Sequence, residues 1–266
     1  MSVNLLDMKF LHNEKSKWPQ KFYLYVMCYS TTLRKTKEEV EERFRARLQI
    51  ELEYTPYYHM NGFTHGNLYI VPMEYPDELF PAIWGYVPPF GMDDPDAFHK
   101  RYNTLNAKSE TVFSSNTYKH SINDKRCLIV ADGFHEPHHV NKVSYPYFCH
   151  YMEDSLFAFA GLYSELDDDL YSCTIITMPA NEQFEHIHNE KKRQPLILDE
   201  HWEEDWLLSD LHEPGIKELM KSAFTTKEIE AYPVSRDLYK RGIDTNNKLA
   251  IERRDYPELN EQGSLF

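Results

Sequence analysis

Cys28 directly follows Met27, so the chain contains an internal Met-Cys pair that looks like a second beginning. A cysteine at the start of a chain carries a free α-amine beside its thiol, and this 1,2-aminothiol traps aldehydes. The amine condenses to an imine, and the thiol then closes a five-membered thiazolidine ring. An internal cysteine cannot react in this way, because its nitrogen is an unreactive amide. Thiazolidine chemistry at Cys28 therefore requires that residues 1–27 be absent, through a start at Met27 followed by aminopeptidase removal of that methionine, or through cleavage of the longer chain.

Three other stretches place polar, catalysis-capable side chains beside a turn or at the end of an apolar run. They contain Asn106, Glu136 and His188. A carboxylate and an imidazole together supply a general base and a general acid, and an ordinary histidine titrates near neutrality. Each residue also has a plainer interpretation when taken alone. Asn106 could cap a helix, Glu136 could be an exposed carboxylate at a strand end, and His188 could be a satisfied surface histidine.

The composition restricts the classes of function. The chain has 266 residues, 14% aromatic side chains and a net charge of −14. Proteins that hold nucleic acid by bulk electrostatics are usually basic, so a nucleic-acid site here must be a local groove on an acidic body. Four cysteines without Cys-x-x-Cys spacing favour a reducing, cytoplasmic compartment. No apolar run approaches the ~20 residues of a membrane helix, and bulky Met27 argues against a lipoprotein signal at Cys28.

Periodicity predicts the elements that must position these side chains. A capping box at Thr36 begins a helix that is predicted to run from Lys37 to about Glu51, with apolar residues at every fourth position. Short strands are predicted at Leu68–Val71 and Ala82–Val87. Longer apolar strands are predicted at Cys127–Gly133, Pro146–Met152, Leu156–Leu162 and Tyr171–Met178, with a turn at 167–169.

Helices are predicted again after the last of these strands. Asp199 caps one that includes Trp206, and Pro214 begins another that ends near Phe224. Periodicity is lost after Asp237, and residues 246–266 are predicted to form a polar tail.

Strands with helices at the margins, without regular βαβ alternation, predict an α+β fold. No convincing linker interrupts residues 27–235, so a single domain is predicted there. It is preceded by an extension, 1–26, and followed by a polar C-terminal segment, 236–266.

Seven stretches carry the candidate residues in a fixed order. They are Met27-Cys28, Trp84 to Pro88, Asn106 to Glu110, Arg126 to Glu136, Phe157 to Tyr163, Thr174 to Asn181 and Ile187 to Leu198. In this order they resemble the SRAP family, the SOS-response-associated peptidases that process abasic sites in DNA. The resemblance spans residues 27 to about 210, which makes it far more specific than any single motif.

The resemblance implies a barrel-like, mixed and antiparallel β-sheet flanked by helices, no cofactor, and covalent linkage to abasic sites in single-stranded DNA. Cys28 is then the N-terminal nucleophile and Asn106 orients the reacting group. Glu136 and His188 handle protons, because opening the abasic sugar needs a proton on its ring oxygen and imine formation needs a base near the amine. Our hypothesis is that Glu136 contacts the Cys28 amine and His188 acts on the sugar. The family name also implies an autopeptidase activity, and lyase activity is a further expectation.

The resemblance implies DNA contacts as well. Trp84 resembles part of a wedge that stacks on or separates bases, with a core tryptophan as the alternative. Lys108 and Arg193 are expected to neutralise phosphates, and Thr177 to offer its hydroxyl or backbone to the strand.

The chain departs from the family pattern at several places. Tyr29-Ser30 stands where the family often has Gly-Arg, and Pro137 followed by two histidines replaces an aromatic residue. Gln194 replaces a usual methionine. The largest departure is the 26 residues before Met27.

The last five residues carry a separate signal. Gln262-Gly263-Ser264-Leu265-Phe266 resembles the pentapeptide with which bacterial repair and replication proteins dock on the sliding clamp. Gln262 would form a hydrogen bond, and Leu265 and Phe266 would fill an apolar pocket. An ordinary polar terminus is the alternative.

Two other functions remain open from the sequence. A metal-dependent hydrolase could use His135-x-x-His138-His139 together with His186-x-His188, although the Cys-x-x-Cys of a zinc deaminase is absent. A non-catalytic module could instead use the same groove and the clamp motif merely to occupy single strands.

Overall fold

The computed structural model describes residues 29–49, 54–167, 170–240 and 242–260. The strands in these ranges are β1 (Ser30–Leu33), β2 (Arg47–Leu48), β3 (Tyr57–Asn61), β4 (Asn67–Pro72), β5 (Glu78–Trp84), β6 (Asn106–Lys108), β7 (Arg126–Ala131), β8 (Gly133–Val140), β9 (Val143–Tyr151), β10 (Phe157–Asp167), β11 (Leu170–Pro179), β12 (Arg193–Pro195) and β13 (Ile229–Pro233). The helices are α1 (Lys37–Phe44), α2 (Pro95–Arg101), α3 (Glu182–Ile187), α4 (Glu203–Leu207), α5 (Glu213–Ser222) and α6 (Pro257–Asn260). None of these helices has the length and apolarity needed to cross a membrane.

Five strands close into a barrel. The pairs β11–β10, β10–β7, β7–β4 and β4–β5 are antiparallel, and a parallel pairing of β5 with β11 completes the ring. The strands β6 and β12 extend the wall along the second half of β11. Closure leaves the barrel strands without open edges, and their apolar side chains form the main core. The predicted α+β domain with a barrel-like sheet is confirmed.

A second sheet has the strand order β13-β9-β8-β1-β3. Its central hairpin, β8–β9, turns through Asn141 and Lys142, which both have positive φ (50° and 66°) as a two-residue hairpin turn requires. β1 is antiparallel to both of its neighbours, with Thr31 opposite Phe134 of β8 and opposite Met60 of β3. The N-terminal strand is therefore held on both sides.

Asp132 marks the point where the chain passes from the barrel to this second sheet. The sequence predicted one strand through Cys127–Gly133, but the run is divided between β7 and β8 at this residue. The buried Asp132 carboxylate accepts hydrogen bonds from the Thr32 hydroxyl (2.5 Å) and the Arg34 amide (2.7 Å). These bonds fix the corner and tie it to the end of β1.

The first helix is shorter than predicted. Its capping box at Thr36 is present, but α1 ends at Phe44 rather than near Glu51. Arg45 adopts a left-handed conformation (φ 51°), and the Glu41 carboxylate accepts the Leu48 amide at 3.0 Å. The chain therefore turns back into β2, and the periodicity at Leu48 is that of a strand beside β5.

The other predicted elements are present with shifted ends. The strand predicted at Ala82–Val87 is β5, which ends at Trp84. Asp199 accepts the His201 amide and caps a short turn that leads into α4, and Pro214 lies in the first turn of α5. Residues 168–169 of the predicted turn lie outside the described residues.

The prediction of a polar tail from residue 246 is wrong for residues 246–260. The Asn246 side chain accepts the Tyr58 amide of β3 at 2.8 Å, and the His135 ring donates from Nε2 to the Ala250 carbonyl at 2.8 Å. Further on, the Tyr256 hydroxyl donates to the Val234 carbonyl at 3.0 Å. This C-terminal strap, residues 245–256, spans the second sheet from β3 past β8 to the end of β13. The sequence missed it because its contacts are polar and follow no period.

Arg126 connects the loop before β7 to the end of α4. Its side chain is fully buried, and its guanidinium donates to backbone carbonyls rather than to a carboxylate. The acceptors are the carbonyls of Trp206 (2.8 Å), Ile122 (3.0 Å), Asn123 (2.6 Å) and Leu208. Burial without an ion-pair partner lowers the pKa of Arg126 to about 10, which still leaves it charged at neutral pH.

Candidate active site

Glu136 and His188 meet inside the protein. Glu136 lies on β8 and is fully buried, and His188 is only 1% exposed. The distance from Nδ1 of His188 to Oε2 of Glu136 is 3.3 Å. Such a buried carboxylate–imidazole pair can hold and transfer a proton, so the plainer surface interpretations of both residues are excluded.

The end of α3 turns His188 toward Glu136. The Asn181 side chain caps the start of this helix by accepting the Phe184 amide at 3.0 Å. The helix ends at Ile187, because His188 has non-helical torsions (φ −93°, ψ 61°). The His188 side chain therefore projects from the turn after α3 and not from the surface of the helix.

Burial lowers the pKa of His188 to about 4, and a hydrogen bond with the Arg193 backbone opposes this only in part. The nearby charges of Lys191 and Arg193 act in the same direction as burial. The expectation that His188 titrates near neutrality is therefore wrong, and the imidazole is neutral at pH 7. A neutral imidazole can pass on a proton that it receives from Glu136, but it does not carry a second ring proton at pH 7.

The start of β1 approaches Glu136. The pairing of Thr31 with Phe134 continues at the next position, where the Ser30 hydroxyl lies 3.3 Å from Nδ1 of His135. The same antiparallel register brings Tyr29 opposite Glu136. Cys28, the predicted nucleophile, lies outside the described residues.

Asn106 lies in β6, parallel to β11, and does not cap a helix. The strand is anchored on both sides of this residue: the Tyr118 hydroxyl donates to the Asn106 carbonyl at 3.3 Å, and the Trp84 indole N–H donates to the Leu105 carbonyl at 3.0 Å. Trp84 is fully buried. Its predicted stacking on DNA bases is therefore wrong for this structure, and Trp84 instead fixes the segment that carries Asn106.

Gly62 links this segment to the start of β1. Its amide donates to the Tyr29 carbonyl at 2.8 Å. A Cβ at this position would lie 2.9 Å from Cδ1 of Leu105 and 3.1 Å from Cε3 of Trp84, so there is no room for a side chain. The residue after Cys28 and the residue before Asn106 thus pack around the same glycine.

Arg193 and Thr177 form a closed polar group with Glu110. The Arg193 guanidinium makes a two-pronged ion pair with Glu110 and donates to the Thr177 carbonyl at 2.8 Å and hydroxyl at 3.2 Å. Arg193 is 8% exposed and Thr177 is buried. Arg193 is not open to a phosphate as predicted, because Glu110 already neutralises its guanidinium. The Thr177 hydroxyl and carbonyl, predicted to face the DNA strand, instead accept hydrogen bonds from Arg193. Lys108, by contrast, is exposed at the end of β6.

Two aromatic side chains that the sequence reasoning missed are open to solvent. Phe90 is 64% exposed and Tyr102 is 46% exposed. Their rings lie 6.0 Å and 4.9 Å from the ring of Phe98, which supports both. The signal was present in the sequence, since the two prolines before Phe90 end the β-run and prevent this aromatic from continuing into the core.

Tyr239 lies beside the start of β1, although the sequence analysis placed it in the polar C-terminal segment. Its ring centroid lies 5.8 Å from that of Tyr29. Burial raises the pKa of Tyr239 well above its usual value, and the charge of Glu136 contributes in the same direction. The hydroxyl therefore stays protonated beside the start of β1.

The three described cysteines are unsuited to nucleophilic chemistry. Cys127, Cys149 and Cys173 are free thiols and fully buried. Burial raises the pKa of each thiol, and the thiolate is the reactive form. A reaction of this protein that needs a thiol is therefore left to Cys28.

The histidines of the metal hypothesis do not converge. The His135 ring is occupied by the Ala250 carbonyl, and Nδ1 of His138 lies 2.9 Å from the His186 carbonyl. Across 29–49, 54–167, 170–240 and 242–260, no three His, Cys, Asp or Glu side chains form a group that could hold a metal ion.

The buried histidines predict a loss of stability in mild acid. Burial lowers the pKa of His59 and His188 to about 4 and that of His135 to about 3. Between pH 6.5 and 4 the unfolded chain binds protons that the folded chain does not, so the free energy of unfolding should fall by a few kcal/mol, as an order of magnitude. Urea titrations at pH 7, 6 and 5 should show a falling midpoint. An unchanged midpoint would contradict neutral burial, and His135→Gln should flatten the slope.

Comparisons with known proteins agree with this geometry. The chain is 31% identical to the abasic site processing protein YoqW of Bacillus subtilis over 215 residues, which cover 79% of this chain and 92% of that protein. It is 33% identical to the abasic site processing protein HMCES of Gallus gallus over 178 residues, covering 57% of this chain and 51% of that protein. A crystal structure of a Bacteroides thetaiotaomicron protein matches 85% of this chain and all of its own, with a TM-score of 0.74 and 27% identity.

The family itself follows from a match along most of the described domain. The pattern of the SOS response associated peptidases matches residues 27–241. This range begins at the Met-Cys pair and includes Asn106, Glu136 and His188. The chain belongs to the SOS response associated peptidase (SRAP) family.

Proposed function

We propose that this protein links itself covalently to abasic sites in single-stranded DNA through a thiazolidine formed by Cys28, once Cys28 is the first residue of the chain. The names of the relatives specify abasic site processing. The aldehyde of an opened abasic sugar is the electrophile that a 1,2-aminothiol captures.

The observation that carries the proposal is the buried Glu136–His188 pair opposite the start of β1. The β1–β8 register brings Tyr29 opposite Glu136, and Cys28 directly precedes Tyr29 in the sequence. This register supports the proposal, because the residue that would carry the free amine is bonded to Tyr29.

The proposed reaction proceeds in three balanced steps. The Cys28 amine adds to the aldehyde carbon of the opened sugar, which forms a carbinolamine. Protonation of the carbinolamine hydroxyl and departure of water give an imine. The Cys28 sulfur then adds to the imine carbon, the nitrogen takes up the thiol proton, and the five-membered ring closes with water as the only by-product.

Glu136 and His188 would divide the proton transfers. Glu136 takes the proton that the Cys28 ammonium must lose before it attacks. His188, 3.3 Å from Glu136, passes a proton to the ring oxygen of the closed sugar. A neutral imidazole suits this relay, because it accepts a proton from one side only as it gives one up on the other. Asn106, on the adjacent β6, would orient the sugar hydroxyl.

The exposed aromatics and Lys108 would bind the strand around the abasic site. Bases stack on exposed aromatic rings, and a lysine can neutralise a phosphate without a large basic patch. A local contact of this kind is compatible with a net charge of −14.

Replacing Phe90 or Tyr102 by alanine should weaken the binding of single-stranded DNA. Base–aromatic stacking contributes about 1–3 kcal/mol, so each change should raise Kd by roughly 5- to 150-fold. Fluorescence anisotropy with an unmodified oligonucleotide would measure the effect. Tyr75→Ala, which removes another exposed aromatic ring, is the matched control. Equal affinities for all variants would exclude the stacking surface.

Two chains of different length test the proposal. A chain that begins at Cys28 and the 266-residue chain are incubated separately with single-stranded DNA that contains one abasic site, without borohydride. The shorter chain should give a covalent adduct that migrates slowly in a denaturing gel, and the longer chain should give none unless it is first cleaved. DNA binding without an adduct from the shorter chain would instead support the non-catalytic module.

We also propose that the domain exposes Cys28 by cutting the bond after Met27, as the peptidase name of the family suggests. Intact-mass measurement of the purified 266-residue chain over time should reveal loss of residues 1–27, and Glu136→Gln should slow that loss. A mass that never changes would refute self-cleavage. It would leave a start at Met27, followed by removal of that methionine, as the route to a free amine.

Docking on the sliding clamp through Gln262, Leu265 and Phe266 remains a separate proposal, because these residues lie outside the described ranges. The strap is anchored at Tyr256, a few residues before them. Deletion of residues 262–266 should abolish capture by immobilised clamp and leave crosslinking intact. Failure of the complete chain to bind the clamp would end the proposal.

A further inference from the structure

We infer that His138 and Asn189 are positioning residues that hold the His188 imidazole against Glu136. Both flank the buried pair, one on β8 and one just after α3. The inference rests on the proposed function for its kinetic consequence, but the geometry can be tested without DNA.

His138 caps the C-terminal end of α3. Its Nδ1 lies 2.9 Å from the His186 carbonyl and 3.2 Å from the Ile187 carbonyl. Carbonyl oxygens only accept hydrogen bonds, so Nδ1 carries the proton and the tautomer is fixed. These carbonyls are among those that a helix end leaves without an intrahelical partner. His138 therefore fixes the two peptide groups that directly precede His188.

Asn189 fixes the other side of His188. Its Oδ1 accepts the His139 amide at 2.9 Å, and its Nδ2 donates to the His139 carbonyl at 2.8 Å. One side-chain amide thus satisfies both backbone groups of a strand residue, as a paired strand would. The residue after His188 is joined to β8 in the place where a neighbouring strand would pair.

The two contacts act on the same short segment. Glu136, His138 and His139 are nearly consecutive on β8, and together they contact all four residues of the segment 186–189: His138 meets residues 186 and 187, Glu136 meets 188, and His139 meets 189. The position of His188 relative to Glu136 is therefore set by bonds on both sides, not by the single 3.3 Å approach of the two side chains. A displacement of about 1 Å in such a group can cost 10²-fold in rate.

The test uses His138→Leu and Asn189→Ala in the chain that begins at Cys28. The His188 ring is followed by NMR as the pH is lowered, with His188→Gln used to assign its signals. Each variant should move the ring signals and raise the titration midpoint of His188 from about 4 towards its ordinary value, because the ring becomes less buried. His138→Gln, whose amide can still donate to the carbonyls, should restore most of the original behaviour.

Matched controls separate positioning from general loss of stability. Asn181→Ala removes the cap at the opposite end of α3, and His135→Gln changes a buried histidine on the same strand that bonds to the strap. Neither should move the His188 signals. Unchanged His188 signals in both His138→Leu and Asn189→Ala would overturn the inference, as would equal displacement by Asn181→Ala.

Crosslinking rates at saturating DNA give the functional arm. His138→Leu and Asn189→Ala should slow adduct formation by about 10- to 100-fold with little change in the Kd for DNA. In a His188→Gln background the same changes should cause no further loss, and full additivity would refute positioning through His188. If the unmodified chain forms no adduct, the proposed function fails, and the NMR arm still decides the positioning role.

Discussion

Cys28→Ala, in a chain that begins at residue 28, should abolish the covalent adduct with abasic single-stranded DNA. The alanine variant keeps a free α-amine, so it can still form an imine, but it has no sulfur to close the ring. Imines hydrolyse in water, and the adduct should therefore survive denaturing electrophoresis only after borohydride reduction. Noncovalent DNA affinity should stay within about twofold, since the described binding surfaces are unchanged.

Cys127→Ala provides the matched control for this prediction. Its thiol is fully buried, and burial raises the pKa of that thiol. The variant should therefore crosslink at the rate of the parent chain, with at most a small cost in stability. A borohydride-independent adduct in Cys28→Ala would show that another group is the nucleophile.

Arg126→Met should destabilise the fold by more than about 4 kcal/mol. The substitution leaves four carbonyls inside the protein without their hydrogen-bond donor. Each unsatisfied buried acceptor costs about 1–3 kcal/mol. Domains are stable by only about 5–15 kcal/mol, so most of the protein should be insoluble or unfolded at 37 °C. Soluble yield and a urea titration would measure the effect.

Two substitutions make this prediction specific. Arg126→Lys keeps the charge but cannot reach carbonyls on both segments, so it should recover only a minor part of the stability. Arg253→Met removes an arginine that is 57% exposed, pairs with Glu230 and lies over the Tyr232 ring, and it should cost less than about 1 kcal/mol. A stable, soluble Arg126→Met variant would refute the role of Arg126 as the link between the loop and α4.

The sequence predicted the elements that depend on continuous apolar runs. The barrel strands β7, β10 and β11 follow such runs, and their burial on both faces leaves little choice of structure. The family resemblance implied that Glu136 and His188 serve one site, but their direct approach was not predicted, because the two lie on separate elements. Only the pairing of β8 with its neighbours and the turn after α3 bring them to 3.3 Å.

What the sequence did not predict depends on polar contacts and on exposure. Trp84 and Phe90 are both aromatic residues beside turns, but one is buried and the other is 64% exposed. Trp84 is the last residue of the barrel strand β5, and the Leu105 carbonyl accepts its indole N–H, whereas Phe90 follows two prolines that end the β-run. Likewise, nothing in the pattern of the strap distinguishes Asn246, whose side chain bonds to β3, from a residue of a free tail.

The position of β1 between β3 and β8 would have a mechanical consequence if the protein is attached to DNA at Cys28, as proposed. Tension on such an adduct would enter the domain along β1, which has antiparallel partners in both β3 and β8. Hydrogen bonds between antiparallel strands run across the strand direction, so a pull along β1 strains those on both sides together instead of opening them one after another. A polymerase or helicase that meets the adduct would therefore have to shear a whole strand out of the sheet before the attached domain gives way.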